Sequence, residues 1–155
     1  MDVGVSIAGT HRLSAPGAVR VAAAAAEQVG YSSLWAVDRP GAGSSDPFLV
    51  LALASAVTSR IRLGVLVGDP ASYGDGVLAR AAETLHRLSE GRSQVARSGE
   101  VVLVEVTVEE PIEEVVERIV AAGVDEVVLA VAGDPSLDET LDVYARVTEA
   151  LLARC

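Results

Sequence analysis

The chain has 155 residues, half of them apolar, which suffices for one packed core and falls short of two ordinary domains. Its net charge is −10, from 22 acids against 12 bases, and this argues against nucleic acid or anionic membrane as partners, since both need a basic surface. The one cysteine, Cys155, makes no intrachain disulfide. There is also no basic start followed by an apolar run and no apolar stretch long enough to span a bilayer, so a soluble, cytoplasmic, reduced protein is expected.

Strand and helix patterns alternate along the chain. Residues 3–7 are a short β-rich run. Ser14 can cap a helix that passes through five consecutive alanines, residues 22–26, and stops at Gly30. Residues 33–37 read as the next strand. Asp46 followed by Pro47 pairs a cap with a proline in the first turn, and predicts a helix to about Thr58. Residues 61–67 are apolar and nearly unbroken, as in a strand buried on both faces. Residues 75–89 form an amphipathic pattern with Val77, Leu78, Ala81, Leu85 and Leu88 on one face. Residues 93–99 are ambiguous between a weak strand and a loop. Residues 101–108 read as a strand. Pro111 opens a helix with Ile112, Val115, Val116, Ile119 and Val120 inward and two glutamates in its first turn, where the helix dipole favours them. Residues 126–132 are a strand, and Ser136 with Glu139 forms a capping box before the last helix. The count is five βα units and one doubtful extra strand, which implies a parallel sheet with right-handed crossovers.

Four spaced motifs stand on these elements. Residues 24–39 carry Glu27, Gly30, Trp35, Asp38 and Arg39. Asp46-Pro47-Phe48 opens the second helix. Thr58-Ser59-Arg60-Ile61-Arg62-Leu63-Gly64 leads into the third strand. Leu78, Arg80, Thr84, Leu85, Leu88, Ser89, Gly91 and Arg92 punctuate the third helix. In this order they resemble the luciferase-like flavin- or deazaflavin-dependent oxidoreductases. Residues 101–155 are similar to the C-terminal end of that family, and residues 1–92 to its N-terminal half. A full (βα)8 barrel typically needs about 250 residues. The resemblance therefore implies a single domain over residues 1–155: an α/β, reduced or partial TIM-type barrel of five to six parallel strands, lacking the family's middle units.

The resemblance implies an oxidoreductase or monooxygenase using FMN or a deazaflavin coenzyme, with reduced or lost activity. The alternative is a non-catalytic truncated paralogue that acts as an oligomeric or partner-binding subunit. Asp38 and Arg39 are the catalytic candidates at the end of the second strand, where barrel enzymes place their chemistry. The family often has His where Arg39 stands. Arg can hold an anion but cannot shuttle protons near neutrality. Gly64, Leu66, Val67 and Gly68 are the candidates for the cofactor ring. The Leu66–Val67 bond aligns with a non-proline cis peptide of the family, for which trans is the expectation without a bound ring. The glycines fit a flat ring or tight strand packing equally. Ser72 and Tyr73 could line a pocket, although a solvated loop is the plainer reading. Neither His11 nor His86 has partners at metal-ligand spacing.

Residues 47–57 carry no charge, and a helix apolar all round must be covered all round. Too few strands would also leave two sheet edges open. The expected partner is a second copy, docked through residues 47–57 and 75–89, or a full-length relative; a helix simply buried between its neighbours is the bland alternative.

Overall fold

The computed structural model describes residues 1–8, 15–38 and 45–154. Along the chain run β1 (Asp2–Ala8), α1 (Pro16–Val29), β2 (Ser33–Val37), α2 (Pro47–Ser55), β3 (Arg62–Val67), a 3-10 turn (Pro70–Ser72), α3 (Val77–Leu88), β4 (Ser93–Arg97), β5 (Val102–Val106), α4 (Ile112–Ala121), β6 (Glu126–Val131) and α5 (Leu137–Leu152). All six strands are parallel and lie in one sheet, in the order β4-β3-β2-β1-β6-β5. The fold is thus an α/β partial TIM-type barrel, and the ambiguous segment at residues 93–99 contains a real strand.

Local chemistry sets the element ends. The Asp46 carboxylate accepts the Leu49 N–H at 3.0 Å, and Ser136 and Glu139 form the reciprocal capping box. Gly30 ends α1 with φ +97°, a left-handed cap that glycine adopts without strain. Ser14 lies outside the described residues; the cap position of α1 is Ala15, which makes no side-chain bond. The second helix stops at Ser55 and not near Thr58, because the Ala56 and Val57 N–H groups reach back only three residues and tighten the last turn.

The connection between β4 and β5 is the departure from the expected rhythm. Parallel neighbours ordinarily need a crossover of a dozen residues or more. Here Gly99 and Glu100 suffice, with the Glu100 N–H on the Arg97 carbonyl at 3.0 Å, Gly99 at φ +94°, and one parallel bridge between Ser98 and Val101. Stagger explains it. Extending the strand register from Val101 through Glu126, Asp2, Tyr31 and Arg60 leads to Glu90 on the β4 side, yet Val101 bridges Ser98, eight residues further on. That offset equals the shear of an eight-stranded βα barrel. It brings the top of β4 beside the foot of β5, so the chain only steps sideways. Apart from this bridge, the two strands are edges.

The sheet is rolled. Its helix-facing side packs Val5, Leu34, Leu63, Val65, Val67, Val127 and Leu129 under the helices. Its other side gathers Trp35, Leu66 and Val128 with Ala96 of β4 and Val101 and Leu103 beside β6. Residues from opposite edges meet around one indole only if the sheet curls about it. Trp35 is 1% exposed, and its indole N–H donates to Ser33 Oγ at 2.8 Å. A Cβ on Gly64 would stand 2.3 Å from the Trp35 ring, and one on Gly4 would stand 2.2 Å from Ser33 Oγ. These two glycines are therefore the space into which Trp35 and Ser33 fit. Below them Ser33 Oγ donates to Glu126, which also pairs with Arg62, and Arg62 reaches Asp2 at 2.8 Å.

Two motif residues hold the segment between α2 and β3. The Glu27 carboxylate accepts the backbone N–H groups of Ser59, Arg60 and Ile61 at 2.7–3.2 Å. The Arg92 guanidinium donates to the carbonyls of Ser55, Thr58 and Ile61 and to the Thr58 hydroxyl. One side chain takes the donors of the turn and the other takes its acceptors. Partial desolvation raises the Glu27 pKa, but the three N–H groups and nearby Arg60 outweigh it and hold the carboxyl below its ordinary value.

The helix stripes are buried unequally. Leu85 is buried on α3, but Val77 is 41% and Leu88 57% exposed, against expectation. Both side chains line a groove left open between α3 and α2. Val120 of α4 is likewise exposed, against expectation, and borders an open cavity beside Leu151 and Leu152 of α5. The charge is unequal too. Residues 1–100 carry nine acids and nine bases, while residues 101–155 carry thirteen acids and three bases, so the whole net charge sits on the β5-to-α5 side.

Gly64→Ala should lower stability by about 1–3 kcal/mol through overpacking against the indole, measured by thermal unfolding. Adding Trp35→Phe should restore part of that loss, because the smaller ring vacates the clash. Glu27 has a depressed folded pKa, so its contribution is present above its unfolded value of 4.5 and is lost as pH falls through the lower folded value. Glu27→Gln should therefore be less stable than wild type at neutral pH, and the two denaturation midpoints should converge as pH falls below about 4.

Candidate functional site

In a βα barrel the chemistry belongs at the C-terminal ends of the strands. In this chain that rim carries Asp38 after β2, Gly68 and Asp69 after β3, Thr107 after β5 and Ala132 after β6. Asp38 continues the β2–β3 ladder, its N–H bonded to the Leu66 carbonyl at 2.9 Å. One oxygen of its carboxylate, Oδ2, accepts the Tyr73 hydroxyl at 2.9 Å. Asp69 caps the following turn by accepting the Ala71 N–H at 2.9 Å. Tyr73 then leaves that turn and sets its ring edge-on against Phe48 of α2, with centroids 6.3 Å apart. Burial pushes the Tyr73 phenol well above its ordinary pKa. The hydrogen-bonded Asp38 and the charge of Asp46 push it further, so it remains a neutral donor.

The other candidates separate. Leu66 is 3% exposed and faces the interior of the ring, beside Trp35. Gly64 faces the same interior but lies beneath the indole. Val67 points the other way, into the helix-side core. Gly68 stands at the rim, where a Cβ would meet only the Asp38 carbonyl, at an ordinary 3.5 Å. No peptide bond among the described residues is cis, so Leu66–Val67 is trans, as expected without a ring. Arg39 and His11 lie outside the described residues. His86 is exposed on α3, 3.5 Å from the Ser93 hydroxyl. Among the described residues no group of three His, Cys, Asp or Glu side chains is placed to hold a metal ion, and no helix is long and apolar enough to cross a membrane.

This geometry limits what a cofactor ring can do. The interior below Leu66 is filled by Trp35 and Val128. Above that filled interior stand Gly68 and Asp38, at the ends of β3 and β2. The described rim is acidic and lacks an inward cation for a phosphate; strand alternation turns Arg97 to the helix side with Ser93 and Val95. From sequence Tyr73 reads as part of a solvated loop or, with Ser72, as pocket lining. What would have singled it out is an aromatic residue that follows an Asp-capped turn at the end of a barrel strand.

A cavity of about 460 Å³ opens at the opposite end of the ring, lined by Val3, Tyr31, Val120, Leu151 and Leu152 among others. Its polar groups are engaged. Thr148 donates to the Tyr31 hydroxyl at 2.7 Å, Tyr31 donates to the Tyr144 carbonyl, and Tyr144 donates to the Ser6 carbonyl where β1 slips register. Burial pushes the Tyr31 phenol up to about 12. In barrel folds this end of the strands ordinarily serves stability.

Comparison with known proteins identifies the family. The profile of the luciferase-like monooxygenases matches residues 1–96. Uncharacterised proteins of Mycobacterium tuberculosis and Mycobacterium bovis are 48% identical over 50 residues, which is 32% of this chain and 18% of those proteins. The coenzyme F420 dependent tetrahydromethanopterin reductase of Methanopyrus kandleri superposes with a TM-score of 0.53 at 19% identity, over 76% of this chain and 29% of the reductase. A monooxygenase from Streptomyces bottropensis gives a TM-score of 0.49 at 20% identity, over 95% and 42% of the two chains. The matched stretches thus span well under half of these relatives. With more than half of its residues matched by the family profile, the chain belongs to the luciferase-like monooxygenase family.

Proposed function

We propose that this chain is a flavin- or deazaflavin-dependent oxidoreductase of reduced activity, working as one domain and completed by a second chain. The observation that carries the reading is the family match over the strands that set Asp38, Leu66 and Gly68 at one end of the ring. Leu66 and Gly68 would support the flat ring and exclude water from its underside, while Asp38, held by Tyr73, would accept a hydrogen bond from ring or substrate. Arg39, next in sequence, would meet an anionic group. The cofactor supplies hydride transfer or oxygen activation when bound. Gly64 and Val67 act on the ring only through packing, one by admitting Trp35 and the other from the outer core.

The second reading, a non-catalytic subunit whose role is assembly, is favoured by the filled interior and the open β4 and β5 edges. Both readings require a partner. Leu49 of α2 is 72% exposed, and a groove of about 340 Å³ runs between α2 and α3, lined by Leu49, Ala52, Val77, Ala81, Leu85 and Leu88. A second copy or a full-length relative would cover this apolar groove. The acidic β5-to-α5 side would repel its own copy, which leaves the α2–α3 side for self-association.

Purified protein should be yellow, or should gain thermal stability with FMN or the deazaflavin coenzyme, because a ligand that prefers the folded state raises its melting temperature. Colourless protein with no shift from either compound rules out the enzyme reading and leaves the subunit. Light scattering should give a dimer or larger, and Leu49→Glu should dissociate it; a clean wild-type monomer removes the assembly claim.

A further inference from the structure

We propose that Tyr73 is a positioning residue for Asp38, fixing one oxygen of the carboxylate so that the other is presented to a ligand N–H or O–H at the mouth of the ring. The proposal rests on the cofactor reading above and names how its carboxylate is held.

The backbone of Asp38 is fixed by the bond from its N–H to Leu66, but a side chain at a strand end would otherwise sample several rotamers. Tyr73 removes that freedom from a well-anchored base. Its N–H bonds to the Pro70 carbonyl at 3.3 Å, within the turn that Asp69 caps. Its ring stands perpendicular, at 89°, to Phe48, which is 5% exposed in the first turn of α2, just after the Asp46 cap. Three separate elements therefore meet at one phenol. As a neutral donor it occupies Oδ2 of Asp38 and leaves Oδ1 without a partner among the described residues. A tie that served stability alone would not need a carboxylate at the barrel's reactive end with one oxygen left open.

Tyr73→Phe keeps the ring and its contact with Phe48 and removes only the hydroxyl. Its melting temperature should stay close to wild type, while FMN affinity, read from quenching of FMN fluorescence, should fall about tenfold, as for loss of one charge-assisted bond. In an Asp38→Asn background the same change should have no further effect. Unchanged affinity in Tyr73→Phe overturns the proposal, and so do additive effects, because Tyr73 would then act on the ligand itself. A second measurement needs no cofactor. In alkaline absorbance titration of the apo protein, one of the three tyrosines should ionise at lower pH in Asp38→Asn than in wild type, with the other two unmoved. Identical titration curves overturn the proposal whether or not FMN binds. Failure of wild type to bind either FMN or the deazaflavin coenzyme overturns the cofactor reading and the ligand half of the proposal with it, and the titration still decides the pair.

Discussion

An eight-residue stagger around the sheet governs this molecule. Parallel strands force the chain to return to the foot of the sheet after each strand, and a helix normally makes that journey. The stagger lifts the foot of β5 to the height at which β4 ends, so no return is needed and the Ser98–Val101 step closes the ring with one bridge. A flat sheet of the same six strands would hold β4 and β5 far apart at opposite edges. Rolled, it brings both edges against Trp35. The indole is the largest described side chain in that space, packed with Leu66 and Val128, and Gly4 and Gly64 make room for it and for Ser33.

The same constraint sorts the family signature into parts with different duties. Glu27 and Arg92 stand far apart in sequence and converge on residues 55–61, one receiving N–H groups and the other donating to carbonyls. A loop that would otherwise leave several backbone groups unpaired is thereby satisfied. Trp35 and Gly64 pack the interior. Asp38 is the signature residue that remains at the reactive rim, so most of what identifies the family in this chain is the chemistry of folding.

The local part of this structure was readable from sequence and the non-local part was not. Asp46, Gly30 and the Ser136–Glu139 box act on neighbours a few residues away, so their patterns are visible in the chain itself. Whether Val77 and Leu88 are covered depends on how closely α2 packs beside α3, and the periodicity of α3 carries no such information. The weak strand at residues 93–97 has an uneven pattern because it is an edge, with Val95 41% exposed. Of the candidate residues, Asp38 and Gly68 stand at strand ends, where the sequence pattern puts them. The separation of Leu66 from Val67 follows from strand alternation, which a motif alignment ignores. The Asp38–Tyr73 contact joins two loops, and the aromatic residue after an Asp-capped turn is the one local hint of it.

The step at Gly99 bears on how chain length can change in such a fold. Because the six-stranded ring retains the offset of an eight-stranded one, whole βα units can be added or removed at that seam without altering the register of any other strand pair. The seam is thus the place where a change in strand number would least disturb the remaining ladders, caps and interior.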